Sequence, residues 1–81
     1  MREAYIAFNM LVYTVMCDMD KAYKEKDALN LIASYKGFLG ACRSIVDIYP
    51  DDEFERDMFD LIALIKEVEE YFYKKIKLLA R

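Results

Sequence analysis

The residues of this chain with the greatest potential for chemistry are two cysteines and a large set of carboxylates, and no histidine accompanies them. Histidine is the commonest general base and metal ligand, and it usually activates a cysteine or serine nucleophile. Cys17 and Cys42 both lie in apolar runs, where a free thiol behaves as a small buried hydrophobe. The sequence therefore predicts no catalytic residue and no enzyme activity.

The carboxylates also lack the spacing of a metal site. Glu67 and Glu70 are three residues apart, but a dimetal site in a helical bundle needs a Glu-x-x-His motif. No glycine-rich loop precedes a helix, so we expect no phosphate site. Ala33 and Gly37 have the spacing of a helix-turn-helix motif, but few polar side chains follow that could read bases, and helix packing explains the spacing better. We expect neither a metal nor a cofactor.

The composition is that of a small acidic chain with an excess of apolar residues. Of its 81 residues 57% are hydrophobic, and the net charge is −3, which disfavours binding to a phosphate backbone. The apolar run from Ala4 to Cys17 is shorter than the ~20 residues that span a bilayer, and it lacks the cleavage site of a signal peptide. These features predict one domain, residues 1–81, that is cytoplasmic and binds neither membrane nor nucleic acid.

The same apolar run indicates association with a second chain. Between Ala4 and Cys17 the only polar side chains are Asn9 and Thr14. A helix that is apolar nearly all round must be surrounded by protein, and a domain of this size buries too little surface to enclose it easily. We therefore expect a homodimer with helix 1 between the chains. Its predicted interface consists of Tyr5, Ile6, Met10, Tyr13, Met16 and Cys17.

The pattern of apolar residues and breakers predicts an all-α fold, a three-helix antiparallel bundle with helices at about 2–24, 28–49 and 52–79. The apolar stripe changes phase by about 200° near residues 25–27, which indicates a tight turn with Asp27 as N-cap. Pro50 ends helix 2, and Asp52 with Glu55 has the pattern of a capping box. In such a hairpin Cys17 and Cys42 are offset by about 12 Å, too far for a disulfide, although a bridge between chains stays open.

Spacing also predicts which residues of helices 2 and 3 form the core. The stripe of helix 2 consists of Ile32, Tyr35, Leu39, Cys42, Val46 and Tyr49. The stripe of helix 3 includes Phe54, Met58, Leu61, Ile62, Ile65, Val68, Phe72, Ile76 and Leu79, and Phe59 and Tyr73 widen it. Small residues of helix 2, among them Gly37 and Gly40, predict a strip on which a neighbouring helix packs closely; a kink in the helix is the alternative.

Charge is distributed unevenly in this arrangement. The end that holds the start of helix 1, the end of helix 2 and the start of helix 3 is acidic, and the opposite end is basic. Capping and solubility explain this pattern in the simplest way, and attraction to a partner is the functional explanation. The predicted partner-binding residues at the acidic end are Asp51, Asp52, Glu53, Glu55, Asp57 and Asp60.

These observations favour a non-catalytic helical module that binds a protein, such as a regulator or inhibitor, and acts as a homodimer. The alternative is an acidic mimic of nucleic acid that inhibits a DNA- or RNA-handling enzyme, for example a bacterial defence nuclease. The small net charge makes this alternative the weaker one. Direct binding of nucleic acid by the basic end is a third, less favoured hypothesis.

Overall fold

Three helices run up, down and up along a rod of 44 × 16 × 16 Å. The computed structural model describes residues 2–81, in which helix α1 is Glu3–Lys24, α2 is Ala28–Ile48 and α3 is Asp51–Leu79. Within this range every regular element is a helix, which confirms the predicted all-α three-helix fold. The predicted domain also includes Met1, which lies outside the described residues. Pairing with a second copy remains a prediction.

The turn between α1 and α2 lies where the phase change predicts it. Lys26 takes a left-handed backbone conformation (φ 56°), and its N–H donates to the carbonyl of Tyr23 at 3.0 Å. The next N–H, of Asp27, donates to the carbonyl of Ala22 at 2.9 Å. These two bonds are those of a Schellman motif, which usually places glycine at the left-handed position.

Asp27 also begins α2. One carboxylate oxygen of Asp27 accepts a hydrogen bond from the backbone N–H of Asn30 at 3.0 Å, which confirms Asp27 as the N-cap. Asp27 thus completes the end of α1 and begins α2, so that only residues 25–27 connect the two helices.

The start of α3 differs from the prediction. Pro50 is the N-cap, with no side-chain cap, and Asp51 is the first helical residue, so the capping box of Asp52 and Glu55 does not form. Tyr49 and Pro50 are both extended (ψ 131° and 135°), because proline disfavours helical geometry in the residue before it. The acidic residues that follow fall in the first turn of α3, where they interact favourably with the helix dipole.

The core is a single cluster between the three helices. Phe8 of α1 and Phe38 of α2 meet edge to face at 6.5 Å between ring centroids, and Tyr35 of α2 stacks on Phe72 of α3 at 4.3 Å. The buried apolar residues are Phe8, Val15, Met19, Ala22, Leu31, Phe38, Cys42, Tyr49, Leu61, Val68 and Phe72.

Helix α2 is rotated relative to the predicted stripe. Leu31 and Phe38 are buried, whereas Ile32, Leu39 and Val46 are exposed. Cys42 and Tyr49 of the predicted stripe are buried as predicted, and Tyr35 packs against the core. Adjacent residues differ by 100° around a helix, so the buried face shares part of the predicted stripe and takes in Leu31 and Phe38 instead of its other members. The predicted core positions Ile62 and Phe59 on α3 are likewise exposed.

The predicted close approach along the small residues of α2 is also wrong within this chain. Gly37 and Gly40 are exposed, and a Cβ atom added to either would meet nothing within 4 Å. Neither glycine has a positive φ, and α2 continues through both of them. The small residues therefore lie on a surface without a neighbouring helix from the same chain.

Candidate functional site

The apolar side of α1 that points away from the core departs from an ordinary bundle surface. Ile6 is 56%, Met10 65% and Tyr13 73% exposed, and Cys17 is exposed as well. These four residues follow each other by three or four positions and form one stripe, which we call the outer face. A contiguous exposed apolar stripe of this kind is typical of an interaction surface.

An open groove of about 400 Å³ lies along this stripe, between side chains of α1 itself. Its lining residues are Tyr5, Ile6, Asn9, Met10, Tyr13 and Thr14. The two polar ones bond to their own helix: the Asn9 side-chain amide donates to the carbonyl of Tyr5 and the Thr14 hydroxyl to that of Met10, both at 2.9 Å. Burial of the groove would therefore leave these two donors paired.

Only part of the predicted dimer interface lies on the outer face. Ile6, Met10, Tyr13 and Cys17 lie on the outer face. The other two predicted interface residues, Tyr5 and Met16, are half-buried and pack against the core. Tyr5 is also covered by the Arg2 guanidinium, 3.9 Å from the ring centre.

Asp57, a predicted partner-binding residue, lies inside the protein instead, with 1% of its surface exposed. One carboxylate oxygen accepts hydrogen bonds from Arg2 Nη2 (2.9 Å) and Arg56 Nε (3.0 Å). The other accepts from the Tyr49 hydroxyl (2.8 Å) and Arg56 Nη2 (3.3 Å). The carboxylate is thus fully engaged, and its role in this structure is to connect the helices.

The bonding partners of Asp57 shift its titration. The hydrogen bonds from Arg56, together with those from Tyr49 and Arg2, lower the pKa of Asp57 to about 2, against the opposing effect of burial. Burial and the bond to Asp57 raise the pKa of the Tyr49 phenol to about 12. Both groups therefore keep their charge states through the physiological pH range, and neither is suited to proton transfer near pH 7.

The other five predicted partner-binding carboxylates differ in their exposure to solvent. Asp51, Asp52, Glu55 and Asp60 are exposed, and together we call them the acidic end. Glu53 is half-buried, and its Oε1 atom lies 3.8 Å from Arg56 Nη2. Four of the six predicted partner-binding carboxylates are therefore at the surface.

The opposite end of the rod is held by a second polar cluster. The Tyr71 hydroxyl donates to Asp20 at 2.8 Å, and Lys24 forms an ion pair with Asp20 at 3.3 Å. The ammonium group of Lys75 lies over the Tyr23 ring, 4.2 Å from its centre. Tyr71 and Lys24 lower the pKa of Asp20, and burial raises the pKa of Tyr71 to about 12. This cluster joins α1 to α3.

Neither cysteine has the surroundings of a nucleophile. Both are free thiols, with Cys17 exposed and Cys42 buried. Burial raises the pKa of Cys42 to about 11, which is opposite to the shift that activates a thiol.

Within residues 2–81 there is no group of three or more possible ligands that could hold a metal ion. Nor does any helix in this range combine the length and the apolar character that a bilayer span requires. No family model matches the chain, and neither a curated protein nor a solved structure matches it.

The structure also exposes an apolar pair that the spacing assigned to the core. Phe59 is 74% exposed, and Ile62 follows it one turn later on the same side of α3. Glu55 precedes Phe59 by one turn, so that an acidic and an aromatic side chain are neighbours. The only signal in the sequence is the width of the stripe on α3, which carries more apolar residues than one side of a bundle helix needs.

Proposed function

We propose that this chain is a non-catalytic helical module that forms a homodimer through the outer face of α1 and binds a further protein, as a regulator or inhibitor does. The observation that carries the proposal is the outer face itself. Ile6, Met10 and Tyr13 are each more than half exposed, although apolar area of this size stabilises a protein only when it is removed from water.

A second copy of the chain accounts for this face without any additional partner. The face is self-complementary in chemistry, since it offers apolar side chains and hydrogen bonds that are satisfied within α1. Two-fold dimers, in which the same patch of each chain meets its copy, are the commonest assemblies of soluble proteins. The exposed length of Ile6 to Cys17 covers about three turns of helix.

After such a dimer forms, Phe59 and Ile62 on α3 remain available for the second partner. Their neighbours Glu55 and Asp60 are exposed carboxylates. An apolar centre with an acidic rim fits a partner segment that carries apolar side chains flanked by lysine or arginine. The acidic rim directs the approach, and the aromatic side chain supplies most of the binding energy.

The first test measures the oligomeric state by sedimentation equilibrium over micromolar concentrations. We expect the wild-type chain to be dimeric and the Met10→Glu variant to be monomeric, because the new carboxylate would be buried without a partner. Leu29→Glu is the matched control, since Leu29 is 80% exposed on α2 and the change in charge is the same. A monomeric wild-type chain would contradict the proposed homodimer, and dissociation by both variants would contradict its placement on the outer face of α1.

The second test uses the wild-type chain and variants as bait in extracts of the native host. We expect a protein partner that resists high salt, is lost with Phe59→Ser and is kept with Ile48→Ser. Ile48 is 77% exposed on α2 and therefore controls for loss of an exposed apolar side chain elsewhere. A partner bound equally by both variants would contradict the assignment to Phe59.

The second candidate function is the acidic mimic of nucleic acid, which the four exposed carboxylates of the acidic end favour. It predicts a nuclease or polymerase as the captured protein, released by salt and lost when Asp51, Asp52 and Glu55 are neutralised together. Neutralising Glu67, Glu69 and Glu70, three carboxylates exposed farther along α3, is the control for net charge.

A further inference from the structure

The spacing of the outer face carries information about how two copies would meet. Ile6, Met10, Tyr13 and Cys17 follow each other by four, three and four residues, a pattern that reads the same from either end. Suppose that two α1 helices pack antiparallel and that the centre of their contact lies between Leu11 and Val12 of each helix. Each residue of the outer face then lies opposite another residue of the outer face on the second copy. Met10 then faces Tyr13 of the second copy, and Ile6 faces Cys17. The alternating spacing of three and four is that of knobs-into-holes packing.

Charge at the two ends of α1 distinguishes this arrangement from a parallel one. Glu3 lies in the first turn of α1, and Lys21 and Lys24 lie in the last. In this register Glu3 of each copy lies opposite position 20 and one residue from Lys21 of the other, whereas a parallel pair places the two Glu3 carboxylates together. Asp20 and Lys24, which are also in the last turn, form an ion pair with each other, so Lys21 supplies the positive charge near Glu3 of the other copy.

The rest of the rod adds to the same preference. In an antiparallel dimer the acidic end of one copy lies beside the opposite end of the other copy, where Lys74, Lys75 and Lys77 are found at the end of α3. A parallel dimer would place the two acidic ends side by side, and such like-charge contacts disfavour an orientation. The electrostatic preference therefore extends over the length of the molecule.

The geometry points to a second copy of this chain as the occupant of the outer face, packed antiparallel along α1 with Met10 opposite Tyr13 and Ile6 opposite Cys17. This inference rests on the homodimer proposed above and specifies its register. Cys17 of the two copies is then separated by about 16.5 Å along the axis, because eleven residues rise 1.5 Å each. Such a distance exceeds the ~7 Å between Cα atoms that a disulfide can bridge.

Disulfide formation under mild oxidation, read by non-reducing electrophoresis and peptide mapping, tests the register in the full chain. We expect no covalent dimer from the wild-type chain and a covalent dimer from Ile6→Cys, linked between position 6 of one copy and Cys17 of the other. Adding Cys17→Ser to Ile6→Cys removes the link. A wild-type bond between the two Cys17 residues, or a bond between the two positions 6 in the double variant, would show a parallel dimer and overturn the register.

If Ile6→Cys weakens association, the dissociation constant of a second variant tests the register. Glu3→Gln removes a charge that attracts Lys21 of the other copy in the antiparallel dimer, so the dissociation constant should rise about two- to fivefold at low salt. In a parallel dimer the same variant removes repulsion between the two Glu3 carboxylates, and the constant should fall. An unchanged constant overturns the register.

Failure of this inference is distinguishable from failure of the homodimer. A wild-type chain that sediments as a monomer at every concentration contradicts the proposed function. A dimer that gives no disulfide with any variant, and that Met10→Glu does not dissociate, retains the homodimer but places its interface away from the outer face of α1.

Discussion

Arg2 and Asp57 lie 55 positions apart in the sequence and are joined by a hydrogen bond of 2.9 Å between the guanidinium Nη2 and a carboxylate oxygen. This bond connects the residue before α1 to the second turn of α3. Tyr49, which follows α2, donates to the same carboxylate at 2.8 Å. One buried side chain thus holds the start of α1, the end of α2 and the beginning of α3 together.

This arrangement predicts how stability depends on pH. Asp57 has a pKa of about 2 in the folded protein, below the value of about 3.9 for an unfolded chain. Between these values the unfolded state binds more protons, so acid favours unfolding. The contribution of Asp57 is complete above about pH 5 and is lost as the pH falls towards 2, and the lowered pKa of Asp20 acts in the same direction.

The variant Asp57→Asn tests this dependence by urea unfolding at neutral pH and at several pH values down to about 2. We expect the variant to be less stable than the wild type at neutral pH, because the charged hydrogen bonds from Arg2 and Arg56 are weakened. The difference should shrink as the wild-type carboxylate becomes protonated. Asp60→Asn, at an exposed position, is the control and should change little. A difference for Asp57→Asn that is constant with pH would contradict the lowered pKa.

The two tyrosine–aspartate hydrogen bonds have the same length, but the aspartate is buried in one and partly exposed in the other. Tyr49 and Tyr71 each donate to a carboxylate at 2.8 Å, but the Asp57 side chain is 2% exposed and that of Asp20 is 39% exposed. Tyr49→Phe should lower the free energy of unfolding by about 1.5–3 kcal/mol, the range for hydrogen bonds to charged groups. Tyr71→Phe should cost less, because water replaces the lost donor at Asp20. Equal losses in chemical denaturation would contradict the difference in burial.

The positions of the helices could be predicted from the sequence because their ends depend on local residues. Pro50 ends α2 whatever the helix packs against. Asp27 caps the start of α2 through a hydrogen bond from the backbone N–H of Asn30, only three residues away. The apolar circumference of α1 is likewise a local property, so the residues of the outer face could be identified, although their pairing is untested.

The orientation of α2 and the burial of Asp57 could not be predicted in the same way. Leu31 and Ile32 are both apolar, and only packing against α1 and α3 decides which is buried. Asp57 is one of six clustered acidic residues, and its partners Arg2 and Tyr49 come from other parts of the chain. Such burial depends on tertiary contacts that the spacing of residues does not encode.

The left-handed Lys26 predicts a stabilising substitution. A side chain in this conformation costs about 1–2 kcal/mol relative to glycine, and glycine is the usual residue at this position of a Schellman motif. Lys26→Gly should therefore raise the free energy of unfolding, by up to about 1 kcal/mol after the greater entropy of glycine in the unfolded chain is included. Lys36→Gly, at an exposed position inside α2, is the opposite control and should destabilise. Destabilisation by both variants in thermal unfolding would contradict the turn geometry.

The two thiols should differ in reactivity. Cys17 is exposed and Cys42 is buried, with a pKa of about 11, so that about one in a thousand Cys42 thiols is ionised at pH 8. Because the thiolate is the nucleophile that attacks a disulfide reagent and displaces one of its sulfurs, the reagent should modify one thiol per chain in the folded protein, and the second only after unfolding. Similar rates at both cysteines would show that α2 opens without global unfolding.

The rate at Cys17 also reports on association. In the proposed dimer Cys17 lies in the contact between two α1 helices, so the wild-type reaction should become slower as the protein concentration rises. The Met10→Glu variant should react at the same rate at all concentrations, because it stays monomeric. A wild-type rate that is independent of concentration, in a sample that sediments as a dimer, would place Cys17 outside the interface, since only a covered thiol needs dissociation before it can be attacked.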